Sequence, residues 1–222
     1  MYLNWIEQNE YDLETVCLVV AVCVHYLFIL LSNIISYFVY HIEHPFMEKY
    51  KSNDYPWPWY EDPQGWREMV IKSIKVTLTN NFIVLPIVAM GEFALGMHEW
   101  SFAVEDLPSA TKLGLTLAFC MMCEDCVFFF GHRFLHEPWI YPYIHKIHHE
   151  YKVSISITVE YCHPFEYFFS DLMPAAVGIK ILGPHMHFTT MLIWYWLRSL
   201  ESFDSHCGYA YSWSVFRFIP WQ

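Results

Sequence analysis

LGLTLAFCMMCEDCVFFFGHRFLHEPWIYPYIHKIHHE, residues 113–150, places five histidines within the eighteen residues that follow an apolar run. The run, residues 113–131, is long enough for a helix that crosses most of a bilayer at about 1.5 Å per residue. Solitary surface histidines would not gather in this way at the end of an apolar segment. The stretch therefore predicts a membrane helix that delivers a metal-binding histidine cluster to one membrane face.

The composition of the whole chain also indicates a membrane protein. Hydrophobic residues make up 55% of the 222 residues, aromatic residues 20% and charged residues only 16%, with a mean hydropathy of +0.23. Soluble domains carry about 25% charged residues, so this much apolar surface needs lipid. The net charge of −11, with only 12 Lys and Arg, excludes nucleic acid as a partner, because phosphate binding requires clustered cations.

Five apolar runs follow one another along the chain. They cover residues 15–40, 76–97, 113–131, 168–183 and 188–197. Because an α-helix satisfies its own backbone hydrogen bonds in lipid, each run is predicted to be helical. The second and third runs, and the fourth and fifth, are expected to form hairpins. The predicted fold class is all-α: an integral membrane helical bundle of about four to five apolar helices, in two hairpins, with a cytosolic His-rich cap.

The distribution of Lys and Arg predicts the orientation of these helices. Segment 41–76 holds five cations, whereas the segment between the second and third runs holds Lys112 against three acids. The positive-inside rule therefore places segment 41–76 in the cytosol. Counting the crossings puts seven candidate ligands in the same cytosolic layer: His132, His136, His145, His148, His149, His163 and His206.

Five of these histidines form two motifs with helical spacing. His132 and His136 form H-x-x-x-H, which puts both rings on one face of a helix. His145, His148 and His149 form H-x-x-H-H, in which the two adjacent rings point about 100° apart and can serve different metals. Imidazole suits Zn, Cu, Fe and Ni alike, and the H-E-x-x-H motif of zinc proteases is absent.

Charged side chains inside or beside the apolar runs are candidates for residues that orient the ligand histidines. Asp125 lies two helical turns before the first motif, on the same face, where it could orient a ligand histidine. The alternative is a buried carboxylate paired with Arg133 or Arg198. Arg198 and Glu201, at positions i and i+3, are expected to pair with each other. His25, alone in the first run, is expected to be a packed or hydrogen-bonded residue.

With these motifs the chain resembles the fatty acid hydroxylase / sterol desaturase superfamily, and within it the C-4 methylsterol monooxygenases. The resemblance runs from about residue 66 to the end and is most specific over 124–209. It rests on stretches that surround and follow the two motifs, which are Glu124–Asp125, Ile144–Glu150, Glu160–Glu166 and Asp204–Tyr209. Residues 61–222 are accordingly predicted to be a fatty acid hydroxylase-like membrane domain, preceded by an N-terminal membrane helix and polar linker in residues 1–60.

The resemblance implies a function and a set of partners. The family holds two Fe ions, for which Zn is an alternative occupant, and uses O₂ as co-substrate to oxidise a C-4 methyl group of a sterol. It adds His163 and His206 to the ligand set, and Glu160 and Asp204 to Asp125 as carboxylates that orient ligands. It also implies a sterol or other lipid substrate within the bilayer, a cytochrome b5-type electron donor and the endoplasmic reticulum membrane.

One departure from the family pattern leaves alternatives open. The family has a third histidine box soon after an Ile-Pro-aromatic stretch, which here is Ile219–Trp221, and the sequence ends at Gln222. On the first hypothesis, an active oxygenase, the third box lies beyond Gln222. On the second, the chain is an inactive homologue that serves as a structural subunit of a larger membrane complex, with the mitochondrial inner membrane as the alternative location. A third hypothesis is a hydroxylase or desaturase of another lipid.

Overall fold

The computed structural model describes residues 13–96 and 100–218, and the Ile219–Trp221 stretch lies outside them. The described part is mostly helical and contains no β-strand, only two isolated bridges. The prediction of an all-α bundle is confirmed.

Five long helices form the body of the protein. They are α1 (Leu13–Ile42), α2 (Pro63–Ala94, with a π-helical turn at Asn80–Val84), α3 (Ala110–Leu135), α4 (residues 164–182, with a π-helical turn at Tyr167–Leu172) and α5 (Phe188–His206). Two short α-helices, Pro45–Glu48 and Pro58–Glu61, lie between α1 and α2. The remaining helical turns are 3₁₀: Val104–Asp106, His145–Glu150, Ser156–Thr158, Gly183–His185 and Phe216–Phe218.

Within the described residues, three helices are long and apolar enough to cross a membrane, at Leu18–Ile42, Pro63–Ala94 and Ala110–Leu135. They correspond to the first three apolar runs, and the chain is a membrane protein. The fourth and fifth runs are helical too, but α4 and α5 are not among the helices that are long and apolar enough to cross a membrane.

Helix α2 starts much earlier than its apolar run, at Pro63 instead of residue 76. Pro63 does not interrupt this helix, because it occupies the first turn, where its missing N–H costs nothing. Asp62 caps the helix by accepting a hydrogen bond from the backbone N–H of Gly65 at 3.0 Å. Start signals, which local hydropathy does not register, therefore extend α2 by more than three turns.

The most extensive contact between helices joins α3 to α4 and depends on a small residue. A Cβ added to Gly178 would lie 2.7 Å from the Cα of Cys120, so only glycine allows the two backbones to approach this closely. Close approach at small residues is how helices associate where lipid removes the hydrophobic driving force. The neighbouring side chains Ile179, Met191 and Trp194 complete a buried cluster around Cys120.

Gly178→Ala is expected to lower the free energy of unfolding by about 1–3 kcal/mol, because the added methyl group forces the two helices apart. Gly114→Ala on α3 is the matched control, since an added Cβ there meets nothing within 4 Å. It should leave stability unchanged or raise it by up to about 1 kcal/mol. Thermal unfolding in detergent measures both. Equal stability of the two variants would contradict the close contact.

The loops at one end of the bundle, called here the histidine end, pack around an aromatic cluster. Tyr40, at the end of α1, donates a hydrogen bond to the Cys207 carbonyl (2.8 Å) and accepts one from the Ser156 N–H (2.9 Å). Trp57 and Tyr209 pack on the same ring. These contacts connect α1, the end of α5 and the loop that follows the second histidine motif. They therefore hold in place the segments next to the histidines.

Candidate metal centre

Four histidines from two elements converge at the histidine end. His132 lies in the last turn of α3 and His136 caps it, while His145 and His149 come from the 3₁₀ turn. Their Nε2 atoms lie 3.1 Å apart for His132 and His136, 3.1 Å for His136 and His145, and 3.0 Å for His145 and His149. One ligand atom from each lies within 4.8 Å of all the others. These four residues are called the four-histidine cluster below.

The remaining histidine of the second motif faces a different partner. The Nε2 atom of His148 lies 3.3 Å from the Nε2 atom of His206 at the end of α5. The prediction that His148 and His149 point to separate places therefore agrees with the geometry, although the turn is 3₁₀ and not α-helical. The histidine end thus holds a cluster of four imidazoles and, beside it, a pair of two.

In three of these histidines the second ring nitrogen, Nδ1, contacts an oxygen atom that orients the ring. Nδ1 of His145 lies 2.6 Å from Oε1 of Glu166, and both side chains are buried. Nδ1 of His148 lies 3.3 Å from the Tyr161 carbonyl oxygen, and Nδ1 of His206 lies 2.8 Å from that of Ser202. A carbonyl oxygen or an ionised carboxylate at Nδ1 holds the proton there and leaves Nε2 with a free lone pair. Burial raises the pKa of Glu166 to about 8, and a cation at the cluster would favour the ionised form that accepts this proton.

Burial keeps the imidazoles uncharged. It lowers the pKa of His145 to about 4, and together with the nearby His206 it lowers the pKa of His148 to about 3. Burial also lowers the pKa of His136, His149 and His206. At neutral pH these rings are neutral, which is the form that coordinates metal ions.

The four-histidine cluster fits a transition-metal ion by its donor set and its dimensions. Nitrogen ligands about 2.1 Å from one ion lie roughly 3–3.5 Å from each other in a tetrahedral site, close to the shortest separations here. Four neutral imidazoles that crowd their Nε2 atoms together have too few protons for a network of good hydrogen bonds, so a shared cation accounts for the arrangement better. The donors do not choose among Fe, Zn, Cu and Ni.

In the described part of the chain, no hydrogen bond, ion pair or ring contact is seen between the other predicted site residues and these clusters. His163 caps the start of α4, with Nδ1 accepting from the N–H of Phe165 at 3.1 Å. Glu160 interacts with His25 and Asn81, and Oδ2 of Asp204 accepts a hydrogen bond from Ser214 at 2.6 Å. Asp125 lines a small crevice with Glu124, Arg198 and Glu201 and makes no described hydrogen bond to a histidine.

Two expectations about buried charges are confirmed. His25 is hydrogen-bonded, with Nε2 lying 3.0 Å from Oδ1 of Asn81. Arg198 donates to Glu201 at 3.1 Å. The carboxylate that α3 provides to Arg198 is Glu124 and not Asp125.

Glu166 was missed by the sequence interpretation. It lies 21 residues after His145, so no helical spacing joins the two. The available signal was its position in His163-Pro164-Phe165-Glu166, where an acid lies in the first turn of a largely apolar helix. Such an acid is costly in a membrane protein unless it has a partner.

Glu166→Gln is expected to weaken metal binding by about 10- to 100-fold, because an amide orients His145 less firmly and polarises it less. Competition with a chelator of known affinity measures this on purified protein. Glu92→Gln is the control, since Glu92 pairs with Lys180 (3.1 Å) rather than with a histidine. An unchanged metal affinity in Glu166→Gln would mean that the carboxylate only fills space.

Together, the fold and the site define the class of protein. It is a helical membrane protein whose clustered imidazoles can hold a metal ion. Residues 117–221 match the family model described as fatty acid hydroxylase. The part of the chain that matches this family contains both histidine clusters. No solved structure matches the chain.

Named relatives resemble the same region. Methylsterol monooxygenase 2-2 of Arabidopsis thaliana is 40% identical over 127 residues, which is 57% of this chain and 45% of the relative. A very-long-chain aldehyde decarbonylase of Oryza sativa subsp. indica is 39% identical over 114 residues, 51% of this chain and 42% of the relative. A Dictyostelium discoideum protein named as a methylsterol monooxygenase is 34% identical over 179 residues, 79% of this chain and 62% of the relative. The chain spans less than half the length of the first two.

Proposed function

We propose that this chain provides the membrane domain of an iron-dependent oxygenase that oxidises a C-4 methyl group of a sterol. The observation that carries the proposal is the convergence of four Nε2 atoms at the histidine end, with His145 held by a buried carboxylate. Relatives named methylsterol monooxygenase support the sterol as substrate. The family resemblance supports the endoplasmic reticulum membrane as the location, and the distribution of Lys and Arg supports a cytosolic position for the histidine end.

The four-histidine cluster would hold one ion, and His148 with His206 would contribute to a second, to which we also assign His163 from the family resemblance. Bound iron supplies the activation of O₂ that an unactivated C–H bond requires. The protein's own contribution is positional: Glu166, the Tyr161 carbonyl and the Ser202 carbonyl fix the imidazole tautomers and orientations. Burial excludes water around His145 and keeps the ligands neutral.

Electrons for this chemistry would come from a separate protein, for which we propose a cytochrome b5-type donor at the cytosolic face. The chain contains no Gly-x-Gly-x-x-Gly motif for binding a nicotinamide cofactor itself. The membrane lipid would deliver the substrate, because a sterol is almost entirely hydrocarbon.

Sterol analysis in a cell that lacks its own C-4 methyl oxidase tests the proposal. Cells that express the chain should convert accumulated 4-methylsterols to C-4 oxidised products, detected by mass spectrometry, and a His132→Ala/His136→Ala variant should not. Unchanged methylsterols, with the protein present in the membrane and loaded with metal, would overturn the sterol assignment. Conversion of long-chain aldehydes instead would favour the activity named for the rice relatives.

A further inference from the structure

A cavity of about 210 Å³ lies between α1, α2, α4 and α5. The α5 side of this cavity is formed by residues at helical spacing, including Phe188, Met191, Tyr195, Ser199 and Ser202. From the first to the last of these, α5 rises roughly 21 Å at about 1.5 Å per residue. The cavity is therefore long, and it follows the helix from the far end of the bundle toward the histidine end.

The cavity reaches the outer surface of the bundle. Val24 on α1 and Trp196 on α5 both line it, and they are 41% and 49% exposed. Val24 lies within the first candidate membrane span, so the surface that it shares with the cavity faces lipid. An apolar molecule can enter sideways from the bilayer without crossing water.

The end of the cavity nearest the histidines carries polar groups. His25 and Glu160 line it and bond to each other, with 2.9 Å between Nε2 and Oε1. Asn81 completes this network by donating to Oε2 of Glu160 at 2.5 Å. Tyr167 also lines the cavity and is almost fully buried, but its hydroxyl group has no hydrogen-bond partner in the described part of the chain.

An unpaired buried hydroxyl is costly enough to need an explanation. The ion pair of Glu92 and Lys180 at the opposite end of the cavity is satisfied internally. The polar end differs because the buried Tyr167 hydroxyl has no partner in the described part of the chain and can both donate and accept a hydrogen bond. A ligand that brings one polar group to this end would satisfy the hydroxyl.

The polar end lies next to the residues that orient the His148–His206 pair. Ser202 lines the cavity, and its carbonyl oxygen is the partner of His206 Nδ1. Glu160 lines it too, and the carbonyl of the next residue, Tyr161, is the partner of His148 Nδ1. A polar group held here would place its neighbouring carbon atoms beside the candidate metal centre.

We propose that this cavity binds an elongated lipid that carries a single hydroxyl group, with Tyr167 as the residue that recognises the hydroxyl. The inference rests on the proposed function, which makes a 3-hydroxysterol the ligand, but its chemistry also covers a long-chain alcohol. In a sterol, C-4 is bonded to the carbon that bears the hydroxyl. Anchoring the hydroxyl at Tyr167 therefore positions the C-4 methyl groups, while the remaining hydrocarbon extends along α5.

Competition binding to the full chain in lipid nanodiscs tests this. The probe is a radiolabelled 4,4-dimethyl-3-hydroxysterol, and the competitors are the same sterol, its 3-deoxy analogue, a long-chain primary alcohol and the matching alkane. The hydroxysterol should compete about tenfold better than the 3-deoxy analogue, as expected for one buried hydrogen bond. In Tyr167→Phe the ratio should fall to about one, because only the affinity for the hydroxysterol decreases.

Tyr151→Phe is the matched control. It removes a hydroxyl that bonds to Ser73 at 2.7 Å outside the cavity, and it should keep the tenfold preference. A Tyr167→Phe protein that still prefers the hydroxysterol would overturn the inference, as would a parent chain that binds both sterols equally. If the sterol probe does not bind but a radiolabelled long-chain alcohol does, and the alcohol's advantage over the matching alkane is lost in Tyr167→Phe, hydroxyl recognition stands and the sterol function fails.

Discussion

Replacement of His145 by alanine should lower the metal content of the purified protein to less than about one-tenth of the parent value, since a ligand is lost from the centre of the site. His145 is fully buried and its Nε2 atom lies 3.0–3.1 Å from those of His149 and His136. No other residue of the four-histidine cluster has two such neighbours and a carboxylate partner. Elemental analysis of protein purified in detergent without chelator or metal-affinity steps measures the effect.

His145→Gln separates loss of the ligand from loss of the fold. Alanine leaves Glu166 buried without a partner, which costs about 1–3 kcal/mol of stability, whereas glutamine fills the space and can donate to that carboxylate. Both variants should lose metal, and only His145→Ala should also unfold at lower temperature. His41→Ala, on the exposed surface of α1, should retain metal. A fully loaded His145→Gln protein would contradict the assignment of the four-histidine cluster as a metal site.

The same measurement decides the role of His163. This residue was predicted as a ligand from the family resemblance, and the structure shows it capping α4. Loss of one ion per chain in His163→Ala would place it in the second site. An unchanged metal content, with a lower unfolding temperature, would leave it with the capping role alone.

The spacing of the histidine motifs predicts which imidazoles can converge, but it does not predict the contacts that hold those imidazoles in place. Spacing of four residues places His132 and His136 on one face wherever α3 ends, so their convergence needs only local geometry. The His145–Glu166 contact joins segments 21 residues apart through a tertiary fold that no periodicity encodes. Tyr167 carries no sequence signal as a binding residue, because a tyrosine in an apolar helix is usually a packed core residue.

The same contrast holds for the helices. Residues 15–40 contain no charged side chain, and the structure extends that helix by only two residues at each end. The start of α2 was placed 13 residues too late because Lys72, Lys75 and their polar neighbours obscure the helix that Pro63 and Asp62 begin. Apolar runs locate the segment inside lipid, whereas caps and prolines determine where the helix begins.

Arg198→Met should destabilise the protein by about 3–5 kcal/mol, the second large effect we expect. Arg198 is 14% exposed and interacts with Glu124 from α3, Asp171 from α4 (3.7 Å) and Glu201 from its own helix (3.1 Å). One guanidinium thus neutralises acids from three helices. Methionine keeps much of the apolar stem but leaves these carboxylates without a counter-charge in a region that excludes water. Unfolding in mixed micelles at increasing dodecyl sulfate concentration measures the loss.

Two further variants connect that loss to the buried charges. Lys72→Met removes the partner of Glu150 from a position that is 49% exposed, and it should cost less than about 1 kcal/mol, since solvent screens such a pair. Arg198→Met/Glu124→Gln removes one acid along with the cation and should recover part of the stability, because the carboxylate no longer needs a counter-charge. If the double variant is as unstable as Arg198→Met alone, Arg198 stabilises the bundle by packing. Recovery would instead assign to this ion-pair network the role of holding α3, α4 and α5 together beneath the histidines.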